Sequence, residues 1–419
     1  MQEDTQKLKV TTDSKEAIAL INRFIDQALS YGSYAETVIL QAIAADPTCA
    51  IAHAYAAAYY LSQENQVAMQ QAQPYLQAAL RHLDKITTRE RLYVQAIAAW
   101  ANKEIDVAIA LHEEITDNFP TDLISVQQGQ YHYFYTGDKD KLLKIAQKVT
   151  PANINNHYLY GMVAFGLEQC HQLAAAEKMA RIAIKLNRHD PWAHHAIAHV
   201  METQGRVEEG IAWMENFADT WENCNSMLYT HNWWHIALYY LELGNADKVL
   251  ALYDNHIWGR AQKESPKDEV GAISLLLRLE LRGVNVGDRW QDISAYLYPR
   301  INEHALPFQD LHYIYALAKA GQTNWLNQML VSMQQHTLTV NLFLRQSWLE
   351  VAIPAARGMM AHAKKDFNTA VVELKPLKRR LHEIGGSHAQ RVLFQQVYRD
   401  ALKNVDKSQI YWIPRAISF

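Results

Sequence analysis

Apolar and small residues recur at helical spacing through most of the chain. Ile51, Ala54, Ala58 and Leu61 form one such stripe, and Val107, Ala110, Leu111 and Ile115 form another. Small residues within a stripe let two helices pack closely. Punctuation separates the stripes. Pro47, Pro120, Pro151 and Pro191 each close one, at intervals of 73, 31 and 40 residues, and the first interval divides again near Thr87 and Thr88. Gly137, Gly205, Gly244, Gly283 and Gly321 each follow one stripe and precede the next, where a helix ends on a left-handed residue. From residue 14 to about 403 this pattern predicts roughly twenty helices of ordinary length.

Units of 31 to 40 residues closed by proline match the helix–turn–helix period of tetratricopeptide arrays, about 34 residues. The expected fold class is all-α: an α-solenoid of tetratricopeptide-like helical hairpins, curled into a superhelix. No Ser- or Gly-rich linker interrupts the pattern. The expected organisation is a flexible N-terminus at 1–12, one continuous solenoid over 13–405, and a tail at 406–419 docked on the last helices through Ile410, Tyr411, Trp412 and Ile413. Composition agrees, since 16 glycines and 11 prolines in 419 residues are too few for a turn-rich β architecture or a glycine-rich cofactor fold. A hydrophobic share of 49% with 20% charge supplies a large core and excludes a mainly disordered chain.

Charge and cysteine usage narrow the partners. Forty Lys and Arg against 44 Asp and Glu leave a net charge of −4, which gives no counterion-release drive toward nucleic acid. Cys49, Cys170 and Cys224 are odd in number and form no CxxC, so neither a disulfide framework nor a zinc ribbon is expected, and a reducing compartment fits. The first ten residues lack an apolar core, and no run of about 18 apolar residues occurs. The expectation is a cytoplasmic protein with neither a nucleic-acid nor a membrane partner.

Three segments, 165–170, 199–205 and 240–244, align on their end signals and put a glutamate in one register: Glu168, Glu202 and Glu242. Counting back eleven positions gives His157, Pro191 and His231. Seven gives Gly161, His195 and His235, and three gives Phe165, His199 and Tyr239. These offsets share one helix face. First helices of such arrays line the concave surface, so His157, His195, His199, Glu202, His231, His235 and Glu242 are expected to project into one groove. Imidazoles titrate near neutrality, and interleaved carboxylates suit them to proton transfer. The catalytic candidates are therefore His195, His199, Glu202, His231 and His235, with Glu202 expected to hold His195 or His199 in one tautomer. Each histidine taken singly reads as an ordinary packed or surface residue. Stacked in register, they would cost desolvation unless they shared a polar cavity. Trp192, Trp213, Trp221, Trp233 and Trp234 read most simply as core packing, with cavity walls as the lesser reading.

A second feature lies in EIGGSHAQRVLF. Gly385 and Gly386 stop one helix, and Ser387 with Gln390 forms a capping box for the next. His388, Arg391 and Gln395 then share a face at its first turns. Free backbone N–H groups, the helix dipole and a guanidinium make a site there for a carboxylate or phosphate, the plain alternative being a cap with a structural salt bridge. HExxH, GxSxG, GxxxxGKS/T and GxGxxG do not occur. No cofactor is predicted. The i,i+4 pairs His195/His199 and His231/His235 leave a divalent metal open as an alternative.

At DPWAHHAIAHVMETQGRVEEGIAWM (190–214), THNWWHIALYYLELGNADKVLALYDNHI (230–257), SLLLRLELRGVNVGDRW (274–290), FQDLHYIYALAKAG (308–321) and GGSHAQRVLF (385–394), the chain resembles the tetratricopeptide repeat protein 38 family. The HNxWH and GGSHAQR strings are the specific ones, and with the repeat pattern the resemblance covers nearly the whole chain. It implies an α-solenoid of divergent repeats and no settled reaction. It draws attention to His195, His199, Glu202, His231, Asn232, His235, Asp310, His312, His388 and Arg391. Val392 and Leu393 depart from the acidic and apolar residues that would follow GGSHAQR. The ligand-binding candidates are thus His157, Asn232, Glu242, Asp310, His312, His388 and Arg391.

Two functions compete. In the favoured one, the GGSHAQR helix meets the histidine seam and encloses a His/Glu/Arg-lined concave pocket. That pocket binds a small polar carboxylate-bearing molecule and converts it by acid/base chemistry, which would make the protein an enzyme of unspecified reaction. In the other, the array is a protein–protein interaction scaffold that takes a partner peptide or helix in its groove. The first is preferred because peptide-binding arrays present Lys, Arg and Asn as open clamps, whereas histidines with glutamates suit proton transfer.

Overall fold

A computed structural model of the protein describes residues 1–405. The expected tail contacts of Ile410, Tyr411, Trp412 and Ile413 lie outside the described residues. The architecture is all-α, a helical-repeat solenoid, apart from a short antiparallel pairing of Gln2–Glu3 (β1) with Lys9–Val10 (β2). The chain divides into two compact units, the first spanning Met1–Ala272 and the second beginning at Ile273.

The first unit is a succession of antiparallel hairpins. Lys15–Leu29 (α1) packs on Ala35–Ala45 (α2), Ala50–Leu61 (α3) on Gln66–Leu80 (α4), and Thr88–Ala101 (α5) on Ile105–Asn118 (α6). Leu123–Thr136 (α7) pairs with Lys139–Gln147 (α8), and His157–Gln169 (α9) with Leu173–Leu186 (α10). Pro191–Gln204 (α11) pairs with Val207–Phe217 (α12), and Ser226–Glu242 (α13) with Ala246–Leu252 (α14).

Local sequence explains these boundaries. Asp190 caps α11 by accepting from the Ala193 N–H at 3.0 Å, with Pro191 at the first helical position, where its missing donor costs nothing. Gly205 ends α11 at φ 68° and reverses the chain into α12. The two helices of a hairpin differ in kind. In α10 only Ala176, Ala180 and Ala183 are buried, an i, i+4, i+7 stripe. In α11 every residue from Ala193 to Met201 is buried.

Residues 1–12, expected to be flexible, are tied down. Leu8 and Val10 are buried, and Asp4 enters a charged cluster with Arg89 and Asp122. The Arg89 guanidinium donates to the Tyr55 hydroxyl at 3.2 Å and to Asp4 Oδ2 at 3.5 Å, with Asp122 Oδ2 at 3.7 Å. One buried cation thus serves two buried carboxylates. Burial pushes the Asp4 carboxyl up from 3.8 to about 6 against the pull of Arg89, and Asp122 pushes the same way.

An acid whose folded value is raised binds its proton more tightly in the folded state. Its contribution to stability is full below pH 3.8 and is lost as pH rises through about 6. Denaturant midpoints measured between pH 4 and 7 should therefore fall with rising pH more steeply for wild type than for Asp4→Asn. The amide oxygen in that variant can still accept from Gln6 and Leu8 N–H, as Asp4 Oδ1 does at 2.9 Å.

Pro266–Leu281 (α15) carries the boundary, and the second unit continues through Arg289–Ser294 (α16), Pro307–Lys319 (α17), Thr323–Thr339 (α18) and Leu342–Ser347 (α19). Ile353–Ala363 (α20), Phe367–Leu374 (α21) and His388–Asn404 (α22) follow. The capping box expected before α22 is present: Ser387 Oγ accepts from Gln390 N–H at 3.2 Å, and Gln390 Oε1 accepts from Ser387 N–H at 2.8 Å. Gly386, at φ 81°, cannot carry a side chain, because a Cβ there would sit 2.8 Å from the Phe308 ring.

Candidate functional site

The aligned register brings α11 and α13 together through their histidines. His195 and His199 project from α11, one turn apart, and His231 and His235 project from α13 at the same spacing. The four rings pack with centroids 4.5 to 5.0 Å apart. His195 Nε2 lies 3.0 Å from His199 Nε2 and 3.1 Å from His231 Nε2. One ring nitrogen from each of the four falls within 4.8 Å of the others, so the group could hold a metal ion.

The centre is interior, not the lining of an open groove. His195, His199 and His235 are 2%, 1% and 0% exposed, and His231 is half-buried. α11 packs against α9, α10, α12 and α13, and its run of small residues, Ala193, Ala196 and Ala198, lets these neighbours close over both sides. Trp192 stacks on His195 with centroids 4.6 Å apart, Trp234 lies nearly parallel to His231 at 5.2 Å, and Phe165 fills the space beside His195 at 5.8 Å. Two of the five tryptophans thus wall the centre. Trp221, Trp233 and Trp213 pack elsewhere, against His194, His256 and Phe217. Burial holds His195 and His231 well below the usual imidazole range, with the neighbouring histidines pushing the same way, so both are neutral near pH 7.

Carboxylates stand behind the rings. Glu202 pairs with His235 of α13, Oε2 to Nδ1 at 3.2 Å, and not with His195 or His199 of its own helix. With Nδ1 turned to Glu202, His235 Nε2 faces the cluster and has no partner among the described residues. Glu168 takes the corresponding place toward His199, Oε1 to Nδ1 at 3.7 Å, and is fully buried.

The other candidates fall in other places. His157 Nδ1 meets Asp190 Oδ2 at 2.8 Å, and its Nε2 meets Asn187 at 3.2 Å, which ties the start of α9 to the cap of α11. Glu242 is exposed at the end of α13. Asn232 is fully buried, and neither end of its amide has a partner among the described residues.

Within the second unit, Asp310 Oδ2 lies 2.6 Å from His304 Nδ1, and His304 Nε2 lies 2.7 Å from Ser332 Oγ. Burial raises the Asp310 carboxyl against the pull of His304. His312 donates Nδ1–H to the Phe308 carbonyl at 2.7 Å, and burial lowers it to about 4. Arg391 donates to the Gly386 carbonyl across the first turn of α22, and His388 is half-buried one turn earlier. His304 and Ser332 carried no signal in the sequence pattern. Only the fold reveals their link to Asp310.

No protein-family model matches the chain. Among solved structures, the chain is similar to the Cut9–Hcn1 hetero-tetramer of APC/C at 13% identity, over 95% of this chain and 79% of that one, with a TM-score of 0.40. A human IFIT1 dimer with PPP-AAAA is similar at 13% identity, over 95% and 96% of the two chains, with a TM-score of 0.41. The TPR domain of P58(IPK) is similar at 11% identity, over 95% and 100%, with a TM-score of 0.20.

Proposed function

We propose that the protein is a helical-repeat scaffold that docks an amphipathic helix of a partner protein on the outer face of α18 and α19. One observation carries this reading. Residues 323–339 contain no Asp, Glu, Lys or Arg, and Val331 and Leu338, seven positions apart on one face, are 54% and 76% exposed. Leu342 and Phe343, 75% and 51% exposed, extend the ridge into α19. Solvent-facing helices ordinarily carry charge, and a charge-depleted apolar ridge is the composition of an interface core. A partner helix with apolar residues at i, i+4 and i+7 matches it, with uncharged flanks facing the exposed Gln334, Gln335 and Thr339.

A photo-crosslinking residue at position 338 of the full chain should give a discrete adduct with a partner protein in cells. Leu342→Glu and Phe343→Glu should abolish that adduct with an unchanged helical circular dichroism spectrum. Adducts only with itself, or none, would end the proposal.

A second reading keeps the histidine centre as the working site, taking a small polar carboxylate-bearing molecule. It is favoured by the inward convergence of the four imidazoles, and the resemblance to the tetratricopeptide repeat protein 38 family draws on the same residues. Calorimetric titration of small mono- and dicarboxylates should show binding that His195→Gln removes. Binding that persists in the variant counts against it.

A further inference from the structure

We propose that His195, His199, His231 and His235 form a binding site for one divalent transition-metal ion, with Glu202 as the outer group that orients His235. This goes beyond the docking of a partner and does not depend on it.

The argument starts from what imidazoles can do for one another. A neutral ring has one N–H and one lone pair, both in the ring plane, so a single Nε2 can make one well-aligned hydrogen bond. His195 Nε2 is nevertheless in contact distance of two other Nε2 atoms, at 3.0 and 3.1 Å. Its Nδ1 has no partner among the described residues, and neither does His235 Nε2. Hydrogen bonding within the cluster cannot satisfy so many converging nitrogens. A cation at their centre accepts a lone pair from each.

The dimensions fit. Tetrahedral zinc with Zn–N bonds of about 2.0–2.1 Å separates its ligand nitrogens by about 3.3 Å, close to the two shortest distances here. The topology fits as well: two i,i+4 histidine pairs, one on each of two packed helices from adjacent hairpins, are the means by which helical proteins build metal centres from facing helices. The carboxylate behind the ligand fits too. Glu202 Oε2 against His235 Nδ1, at 3.2 Å, is the outer contact that fixes a metal-bound imidazole's tautomer and leaves Nε2 for the ion. All-nitrogen donors select borderline ions such as Zn²⁺, Co²⁺, Ni²⁺ and Cu²⁺ over Mg²⁺ and Ca²⁺, which take oxygen.

The test uses the full chain stripped with chelator and titrated with Co²⁺ and then Zn²⁺, read by visible absorption and calorimetry. One equivalent of Co²⁺ should give the d–d bands of a low-symmetry four- or five-coordinate nitrogen site, and Zn²⁺ should bleach them. Mg²⁺ should do nothing. Glu202→Gln should retain the site with affinity lower by about 10–100-fold, and His195→Gln or His231→Gln should lose more than that. His189→Gln, at an exposed histidine in the turn before α11, should bind as wild type does.

Each variant is checked by circular dichroism. If a histidine variant unfolds, the Glu202→Gln affinity and the cobalt spectrum decide. Absence of saturable Co²⁺ binding, or equal affinity in wild type, His195→Gln and Glu202→Gln, would overturn the proposal. Neither outcome bears on crosslinking from position 338.

Discussion

Replacing Arg89 with methionine should cost about 3–5 kcal/mol of unfolding free energy, because it leaves two buried carboxylates without their shared cation. Arg89 is 2% exposed, and the Asp4 and Asp122 side chains are fully buried. The loss should be strongly non-additive. Adding Asp4→Asn to Arg89→Met removes one of the stranded charges, so the double variant should be more stable than Arg89→Met by itself, a coupling that a double-mutant cycle in urea measures directly. If the two substitutions simply add, the carboxylates are reaching water by local movement of the β1–β2 segment and the cluster is not a sealed one.

Trp221→Ala should be comparably damaging, at about 3–5 kcal/mol for a large buried aromatic. Trp221 is fully buried between α12 and α13 and meets Trp233 edge-on at 5.9 Å. Its indole N–H donates to His194 Nδ1 at 3.2 Å, while His194 donates its other nitrogen to the Arg188 carbonyl at 2.8 Å. These two bonds fix the His194 tautomer and seat the start of α11, one residue before His195. Trp221→Phe keeps most of the ring but strands the His194 acceptor, so it should cost about 1–3 kcal/mol. Denaturant midpoints for the pair separate lost packing from the lost hydrogen bond. A Trp221→Phe loss near zero would show that the indole N–H contributes nothing.

The sequence revealed those parts of the fold that are set within a few residues. The capping box of Ser387 and Gln390 is a four-residue signal, and Gly205 and Gly244 take the left-handed conformation expected of them. Other hairpins close without a glycine. Glu64, Lys103, His171 and Lys365 adopt positive φ between 58° and 63°, and such residues leave no compositional trace. The site divides the same way. Register along one helix face placed the two i,i+4 histidine pairs. The partner of Glu202 could not be read, because a carboxylate on α11 reaches His235 only through the packing of α11 on α13. Asp310 was singled out, but its partner His304 sits in a non-helical stretch with φ 46°, and Ser332 lies a further helix away.

The contrast between all-round burial in α9 and α11 and one-sided burial in α10 and α12 sets how the chain can vary. From Gly161 to Gln169, and from Ala193 to Met201, no position faces solvent, so no residue there is free to drift without a neighbour answering. Substitutions scanned through α10 and α12 should be tolerated with a beat of three to four residues. Through α9 and α11 the beat should vanish into uniform intolerance, and changes that do persist should come in pairs across facing helices.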